Sequence, residues 1–257
     1  MQEQTLQDQH ALVTGAGQGI GEAIARQLLA RGARVTVLGR RAEPLQKLVD
    51  EFPSQCRMEL ADVAEESQVK TAFSEAASAL GAIDILVNNA GQAQSAPFLK
   101  MDAALWQNML AVNLTGTMLC IQQVLPAMVE RGRGRIVNVA STAGLKGYPY
   151  VAAYCAAKHG VLGLTRALAL ELASKGVTVN AVCPGYTETE IVRESIARVV
   201  AKTGRTPEQA MAEFVKGNPQ GRLVQPQEVA DAVLWLCGPG AAAITGQSIA
   251  VAGGEVM

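Results

Sequence analysis

Short apolar runs alternate along the chain with longer stretches whose apolar residues recur at helical spacing. Ala11-Leu12-Val13 is a continuous apolar run followed by glycines and predicts a buried strand. Over residues 20–31, Ile20, Ala23, Ile24, Gln27 and Leu28 fall on one helical face, and Gly32 is the stop signal. The alternation predicts a strand over 34–38, a helix over 43–52 with Pro44 in its first turn, a strand over 57–60, a helix over 66–80 and a strand over 85–87. Asp102 is placed to cap a long helix running to residue 125, with Pro126 as its end. A strand over 135–139, a long helix over 150–174 and a strand over 177–182 follow. The stretch 188–217 is polar and irregularly helical; a helix over 227–236 and a strand over 247–251 close the pattern. Repeated β-α-β-α order predicts an α/β protein with a doubly wound, mainly parallel sheet, helices on both faces and right-handed crossovers. With no repeat, low-complexity tract or linker, residues 1–257 are expected to form one domain.

Composition narrows the partners. Apolar residues make up 49% of the chain, and the formal charge of −1 gives no electrostatic case for nucleic acid or an anionic membrane as a partner. Residues 1–9 are polar with no apolar signal-peptide core, and no run approaches the roughly 20 uninterrupted apolar residues of a membrane span. Cys56, Cys120, Cys155, Cys183 and Cys237 are odd in number with no C-x-x-C pair, so reduced cysteines and a cytoplasmic location are expected. His10 and His159 lie in no Cys/His cluster, so no metal site is expected, and each reads as an ordinary surface or helix residue.

The first strand–helix turn carries the clearest chemistry. Thr14-Gly15-Ala16-Gly17-Gln18-Gly19-Ile20-Gly21 supplies glycines where a pyrophosphate needs close backbone approach, N–H groups and the positive end of a helix. A glycine-rich loop could merely turn the chain, but this one follows a strand and opens an apolar helix within a β-α-β unit, the context of a Rossmann-type dinucleotide site. At the end of the second strand an acidic residue would hold a ribose hydroxyl and an arginine a 2′-phosphate. Gly39-Arg40-Arg41 stands there, with no carboxylate before Glu43. NADP(H) is therefore expected in preference to NAD(H), with two solvated surface arginines as the plain alternative. Asp62 could meet the adenine amino group or cap the turn at Val63.

Tyr154-Cys-Ala-Ala-Lys158 puts a phenol and an ammonium on one helical face. Tyrosine, with an ordinary pKa near ~10, is a poor base, and a neighbouring cation would lower that value toward a working acid/base. Ser141, at the end of the preceding strand, could donate a hydrogen bond to a substrate carbonyl.

These residues together resemble the short-chain dehydrogenase/reductase family over about residues 6–254. The resemblance rests on the ordered set Thr14–Gly21, Asn88-Asn89-Ala90-Gly91, Asn113, Ser141 with Tyr154-x-x-x-Lys158, and Pro184-Gly185 followed by Thr189. It implies Tyr154 as proton donor and acceptor, and Lys158 lowering the Tyr154 pKa and holding the nicotinamide ribose. It implies Ser141 orienting the carbonyl, and Asn113 holding a relay water by kinking its helix. The cofactor contacts it implies are Thr14, Gly15, Gly17, Gln18, Gly19, Ile20, Gly21, Arg40, Arg41, Asp62, Val63, Asn89, Ala90, Gly91, Tyr154, Lys158, Pro184, Gly185, Thr187 and Thr189. Gln18 stands where many NADP-dependent members carry a basic residue, and Ala252 where Asp or Asn is commoner.

The second half is most similar to ketoreductases of aromatic polyketide synthesis and to 3-oxoacyl thioester reductases, through Gly134–Ser141, Val179–Gly185 and Gly221–Pro226. The segment Gln92–Pro97 lacks the Pro-Gly-Gly run that some polyketide ketoreductases carry. The expected activity is NADP(H)-dependent reduction of a small-molecule ketone, a 3-oxoacyl thioester or polyketide-type ketone linked to coenzyme A or a carrier. A catabolic secondary or aromatic alcohol dehydrogenase is the alternative, and a non-catalytic nucleotide-binding regulator the remote one. Substrate choice is expected in 142–150 and in the lid-like segment 190–221, whose mixed charges are Arg193, Arg198, Lys202, Arg205 and Lys216 against Glu190, Glu194, Glu208 and Glu213. Small residues Ala153, Ala156, Ala157 and Ala167 hint at a second buried face, and the family resemblance implies a homotetramer.

Overall fold

The computed structural model describes residues 6–256, apart from the side chains of Ile191 and Lys202; the charge assigned to Lys202 and residues 1–5 of the polar N-terminal stretch lie outside it. Strands β1 (His10–Thr14), β2 (Arg34–Gly39), β3 (Cys56–Leu60), β4 (Ile85–Asn88), β5 (Gly134–Val139), β6 (Val177–Pro184) and β7 (Ser248–Val251) form one parallel sheet in the order β3-β2-β1-β4-β5-β6-β7. The order reverses between β1 and β4, so a crevice opens at the carboxyl ends of those strands. The interior strands are apolar on both faces, as burial under helices requires: every residue of β1, β4 and β6 is buried.

Helix α1 (Gly19–Ala30) buries Ile24, Leu28 and Leu29, and α2 (Ala42–Glu51) buries Leu45 and Leu48. Helix α3 (Glu66–Leu80) buries Val69 and Phe73. These are the helical spacings visible in the sequence. A buried polar chain ties β4, β5 and the long helix α6 (Ala152–Leu172): Asn88 Nδ2 donates to Asn138 Oδ1 (2.9 Å) and Asn138 Nδ2 to Thr165 Oγ1 (2.9 Å).

Three expectations need correction. The helix after Asp102 does not stop at Pro126. Asp102 does cap it, accepting from Leu105 N at 2.7 Å, but the run is α4 (Ala103–Leu110), a wide π-type turn (Ala111–Thr115) and α5 (Gly116–Glu130). Pro126 sits exposed inside α5; the apolar face continues past it through Met128, and this burial outweighs the one missing backbone bond. By length and composition Ala103–Glu130 would suffice to cross a membrane, yet here it packs against α3 and α6 as a core layer. Helix α6 starts at Ala152 rather than 150, because Tyr150 takes a left-handed φ of 68°. His10 is not a surface residue: it is fully buried in β1, with Nδ1 donating to Gly81 O (2.6 Å) and Nε2 accepting from Thr36 Oγ1 (2.9 Å).

The polar stretch resolves into α7 (Glu190–Thr203) and α8 (Pro207–Val215), the latter capped by Thr206 and Gln209. Gly204, at a left-handed φ of 67°, breaks one from the other. Helix α9 (Pro226–Cys237) packs on α1, and the five cysteines are buried and unpaired.

Candidate active site

A cavity of about 720 Å³ lies at the carboxyl ends of the central strands, within the range of small-molecule and cofactor sites. One end is built by the turn between β1 and α1. Gly15 has a left-handed φ of 65°, and a Cβ there would come 2.8 Å from Ala90 Cα; a Cβ on Gly21 would come 2.2 Å from Gly15 O. The turn therefore closes only with glycine at these positions. Gln18 precedes α1 without a side-chain hydrogen bond to the helix's first N–H groups, leaving the helix's positive end open at the cavity. Asn89 braces the turn, its Nδ2 donating to Thr14 O (3.0 Å) and Gly15 O (3.1 Å). Arg40 and Arg41 line the same end. Arg41 donates to Gln18 Oε1, and Arg40 lies 3.5 Å from Asp62 Oδ2 with its side chain largely exposed. Glycine close approach, an open helix terminus and two arginines fit a phosphorylated dinucleotide.

The other end carries Ser141, Tyr154 and Lys158. Ser141 leaves β5 and accepts from Ala143 N at 3.1 Å, which leaves its hydroxyl proton available to act on Tyr154 or a substrate oxygen. Lys158 Nζ is buried, donates to Val139 O at 2.9 Å and lies 5.6 Å from the Tyr154 ring centre. Burial pushes the Tyr154 hydroxyl up to about 12, with Ser141 pulling the other way. Burial also lowers Lys158 to about 8. The expected lowering of Tyr154 by Lys158 is thus not what these side chains produce: desolvation of the phenol dominates and the ammonium is committed to a carbonyl.

Residues 9–199 match the family model described as short chain dehydrogenase. The chain belongs to the short-chain dehydrogenase family. It is an oxidoreductase of that family, 43% identical over 252 residues to a Streptomyces coelicolor protein named for ketoacyl reductase activity, covering 95% of each chain. It is 38% identical to the 3-oxoacyl-[acyl-carrier-protein] reductase of Aquifex aeolicus, covering 97% of this chain and 98% of that one. Among solved structures, an actinorhodin polyketide ketoreductase variant with NADPH superposes with a TM-score of 0.92 at 42% identity, covering 96% of this chain and 97% of that one.

In this short-chain dehydrogenase, most sequence-predicted site residues converge. Gly15, Gly17, Gln18, Gly19, Ile20, Gly21, Arg40, Arg41, Asn89, Ala90 and Gly91 line the cavity, as do Ser141, Tyr154, Lys158, Pro184, Gly185, Thr187 and Thr189. Four do not line it. Thr14 accepts from the N–H groups of Asn89 and Ala90 (both 3.0 Å), joining β1 to the end of β4. Asp62 accepts from Ala64 N (3.0 Å), the turn-capping role weighed for it. Val63 packs against Gly116. Asn113 sits buried in the wide turn, its Oδ1 accepting from Gln92 N (3.1 Å) and its Nδ2 donating to Gln92 O and Met109 O (2.9 Å each). It thereby ties the loop after β4 to the helix.

The segments expected to govern substrate choice, 142–150 and 190–221, supply Tyr148 and Phe214 to the cavity, though neither residue was singled out; Tyr186 lies outside both and was missed. Their signal was compositional. Aromatic residues are only 4% of the chain, and three segments each contribute one to this cavity.

Proposed function

We propose that this protein reduces a ketone to a secondary alcohol with NADPH, the ketone being of the 3-oxoacyl thioester or polyketide type. The observation that carries the reading is a single cavity with a glycine cradle and two arginines at one end and Ser141, Tyr154 and Lys158 at the other. The relation to an NADPH-bound ketoreductase structure supports the cofactor choice. Gln18, the departure from the basic residue of many NADP-dependent relatives, anchors Arg41, so it supports the arginine cluster indirectly.

When bound, NADPH supplies the hydride that the carbonyl carbon accepts. Ser141 donates a hydrogen bond to the carbonyl oxygen and orients it. Tyr154 gives that oxygen its proton, so the developing alkoxide never has to exist as a free charge. Burial keeps the Tyr154 phenol protonated at neutral pH, the form that can donate. Lys158 holds the nicotinamide ribose from the cavity floor and returns a proton to Tyr154. Asn113, its side chain committed to Gln92 and Met109, keeps the wide turn open so that a relay water can sit beside the turn's backbone. Residues 1–257 act as one domain in which α7 and α8, with the connections through 221, form a lid over the substrate. Two of its basic residues are already in local ion pairs, Arg193 with Glu188 (3.1 Å) and Arg205 with Glu213 (3.2 Å), so the lid offers less free positive charge than its composition suggests.

NADPH consumption with 3-oxoacyl thioesters, cyclic ketones and aryl ketones tests the reading. Turnover of at least one class, with NADPH preferred to NADH, is expected. No turnover of any ketone, alongside oxidation of secondary alcohols, would move the protein to the alcohol dehydrogenase alternative.

A further inference from the structure

The substrate end of the cavity is shaped by a residue from the far end of the chain. Glu255, just after β7, has a side chain only 4% exposed. Its Oε1 accepts from Tyr148 Oη at 2.5 Å and lies 3.1 Å from Lys146 Nζ. Two glycines make room for the carboxylate. A Cβ on Gly185, in the turn after β6, would come 2.9 Å from Oε2, and a Cβ on Gly217, after α8, would come 3.0 Å from Oε1. A buried carboxylate with a cation, a phenol and two close backbone approaches is a built feature rather than a surface accident.

The proton count fixes the direction of the network. A phenol has one proton, and Glu255 takes it from Tyr148, whose ionisation burial and this hydrogen bond both oppose. The 2.7 Å contact between Tyr148 Oη and Thr142 Oγ1 must then be donated by Thr142. Thr142 follows Ser141 directly, so the chain Thr142→Tyr148→Glu255 tethers the loop carrying the carbonyl-orienting hydroxyl to the C-terminal tail. With its hydroxyl turned to Glu255, Tyr148 offers the cavity its ring. Tyr186 stands edge-on to that ring (centres 6.2 Å apart, 80°), and Phe214 of α8 edge-on to Tyr186 (5.1 Å, 82°). The Lys146 charge is balanced by Glu255 and also lies over the outer side of Tyr148, 5.0 Å from its centre.

We propose that Glu255 is a positioning residue of the substrate pocket: it clamps Tyr148 so that Tyr148, Tyr186 and Phe214 form a fixed aromatic wall selecting ketones that carry a flat, uncharged ring. This rests on the ketone-reductase reading of the site. A flat ring gains stacked or edge-on contacts with such a wall, whereas a linear acyl chain gains only ordinary apolar contact. Because the tether ends at Thr142, away from the glycine cradle and the arginines, its loss acts at the substrate end, most strongly on a ketone that packs on the Tyr148 ring, and leaves cofactor binding intact.

The test is steady-state kinetics of the wild type, Glu255→Gln and Tyr148→Phe with a bicyclic aryl ketone (1-tetralone) and a linear 3-oxoacyl thioester (acetoacetyl-coenzyme A), with NADPH affinity measured in parallel. Glu255→Gln keeps the side-chain size and removes the charge; Tyr148→Phe keeps the ring and removes the tether from the other side. Both are expected to raise KM for the aryl ketone about tenfold, the loss of one charged hydrogen bond, with kcat less affected. KM for the linear thioester rises clearly less, and the NADPH affinity stays near wild type. Equal losses on both ketones, no loss on either, or a parallel fall in NADPH affinity would overturn the clamp, and a wild type that favours the linear thioester would overturn the ring selectivity. A wild type that turns over neither ketone would instead remove the reductase reading on which the clamp depends.

Discussion

Tyr154 and Lys158 show how burial sets the chemistry of individual residues. The phenol is pushed up to about 12 and the ammonium down to about 8, so the lysine is the first of the pair to lose its proton as pH rises. The expected consequence is a kcat/KM for ketone reduction that is full below about 8 and falls as pH rises through that value; a profile flat through it would contradict the assignment. At the opposite end of the cavity, Arg40→Asp replaces attraction for a 2′-phosphate by repulsion. NADPH binding is expected to weaken by about 1.5–3 kcal/mol while NADH binding holds or improves, which titration calorimetry can read. The Ser141, Tyr154 and Lys158 set was legible in the sequence because helical spacing and one short loop bring them together. Glu255 was not, because its contact with Tyr148 spans 107 positions and follows no local period. His10 was misjudged for the same reason: Gly81 and Thr36, which satisfy its ring, are remote in sequence.

At the level of elements, strands and helices followed from periodicity because each buries a defined face, and 66–80 is a helix over just that span. The errors fell where one local rule met a competing one. Pro126 was taken as a stop, but α5 keeps its buried face through Met128 and tolerates the proline on its solvent side. Restoring the N–H with Pro126→Ala is expected to stabilise the fold by roughly 1–3 kcal/mol, seen as a higher urea midpoint; an unchanged or lower midpoint would show that the proline is not a defect. The wide turn at Ala111–Thr115 was invisible to a pattern read at 3.6 residues per turn, since one extra residue leaves the apolar spacing on either side nearly intact. Gly15→Ala tests the cradle as an element. Its left-handed φ and the 2.8 Å approach to Ala90 Cα leave no place for a methyl group, so NADPH binding is expected to be lost along with at least ~1 kcal/mol of stability.

For the molecule as a whole, the order β3-β2-β1-β4-β5-β6-β7 brings turns from both halves of the chain to one crevice, and that convergence makes a single cavity able to hold cofactor and substrate together. The alternating β and α pattern announced the sheet but not the shape of the crevice's substrate end, because residues from separate loops and from α6, α7 and α8 meet there and no local period links them. Assembly is a property of the same scale. Gly163, Ala167 and Leu170 lie along one exposed face of α6, with Leu170 83% exposed, whereas Ala153 and Ala157 are used within the chain's own core. That face, with the exposed Trp106 of α4, is where the proposed homotetramer, or at least a dimer, would pair, and light scattering that gives a monomer would refute it. The central claim, that Tyr154 delivers the proton in an NADPH-dependent reduction, is tested most directly by one variant. Tyr154→Phe keeps the ring in place and removes the proton and the hydrogen bond, a loss of roughly 2.7–4 kcal/mol or more in the barrier. The account predicts that turnover falls at least a hundredfold while NADPH binds with wild-type affinity; near-normal turnover in that variant would contradict it.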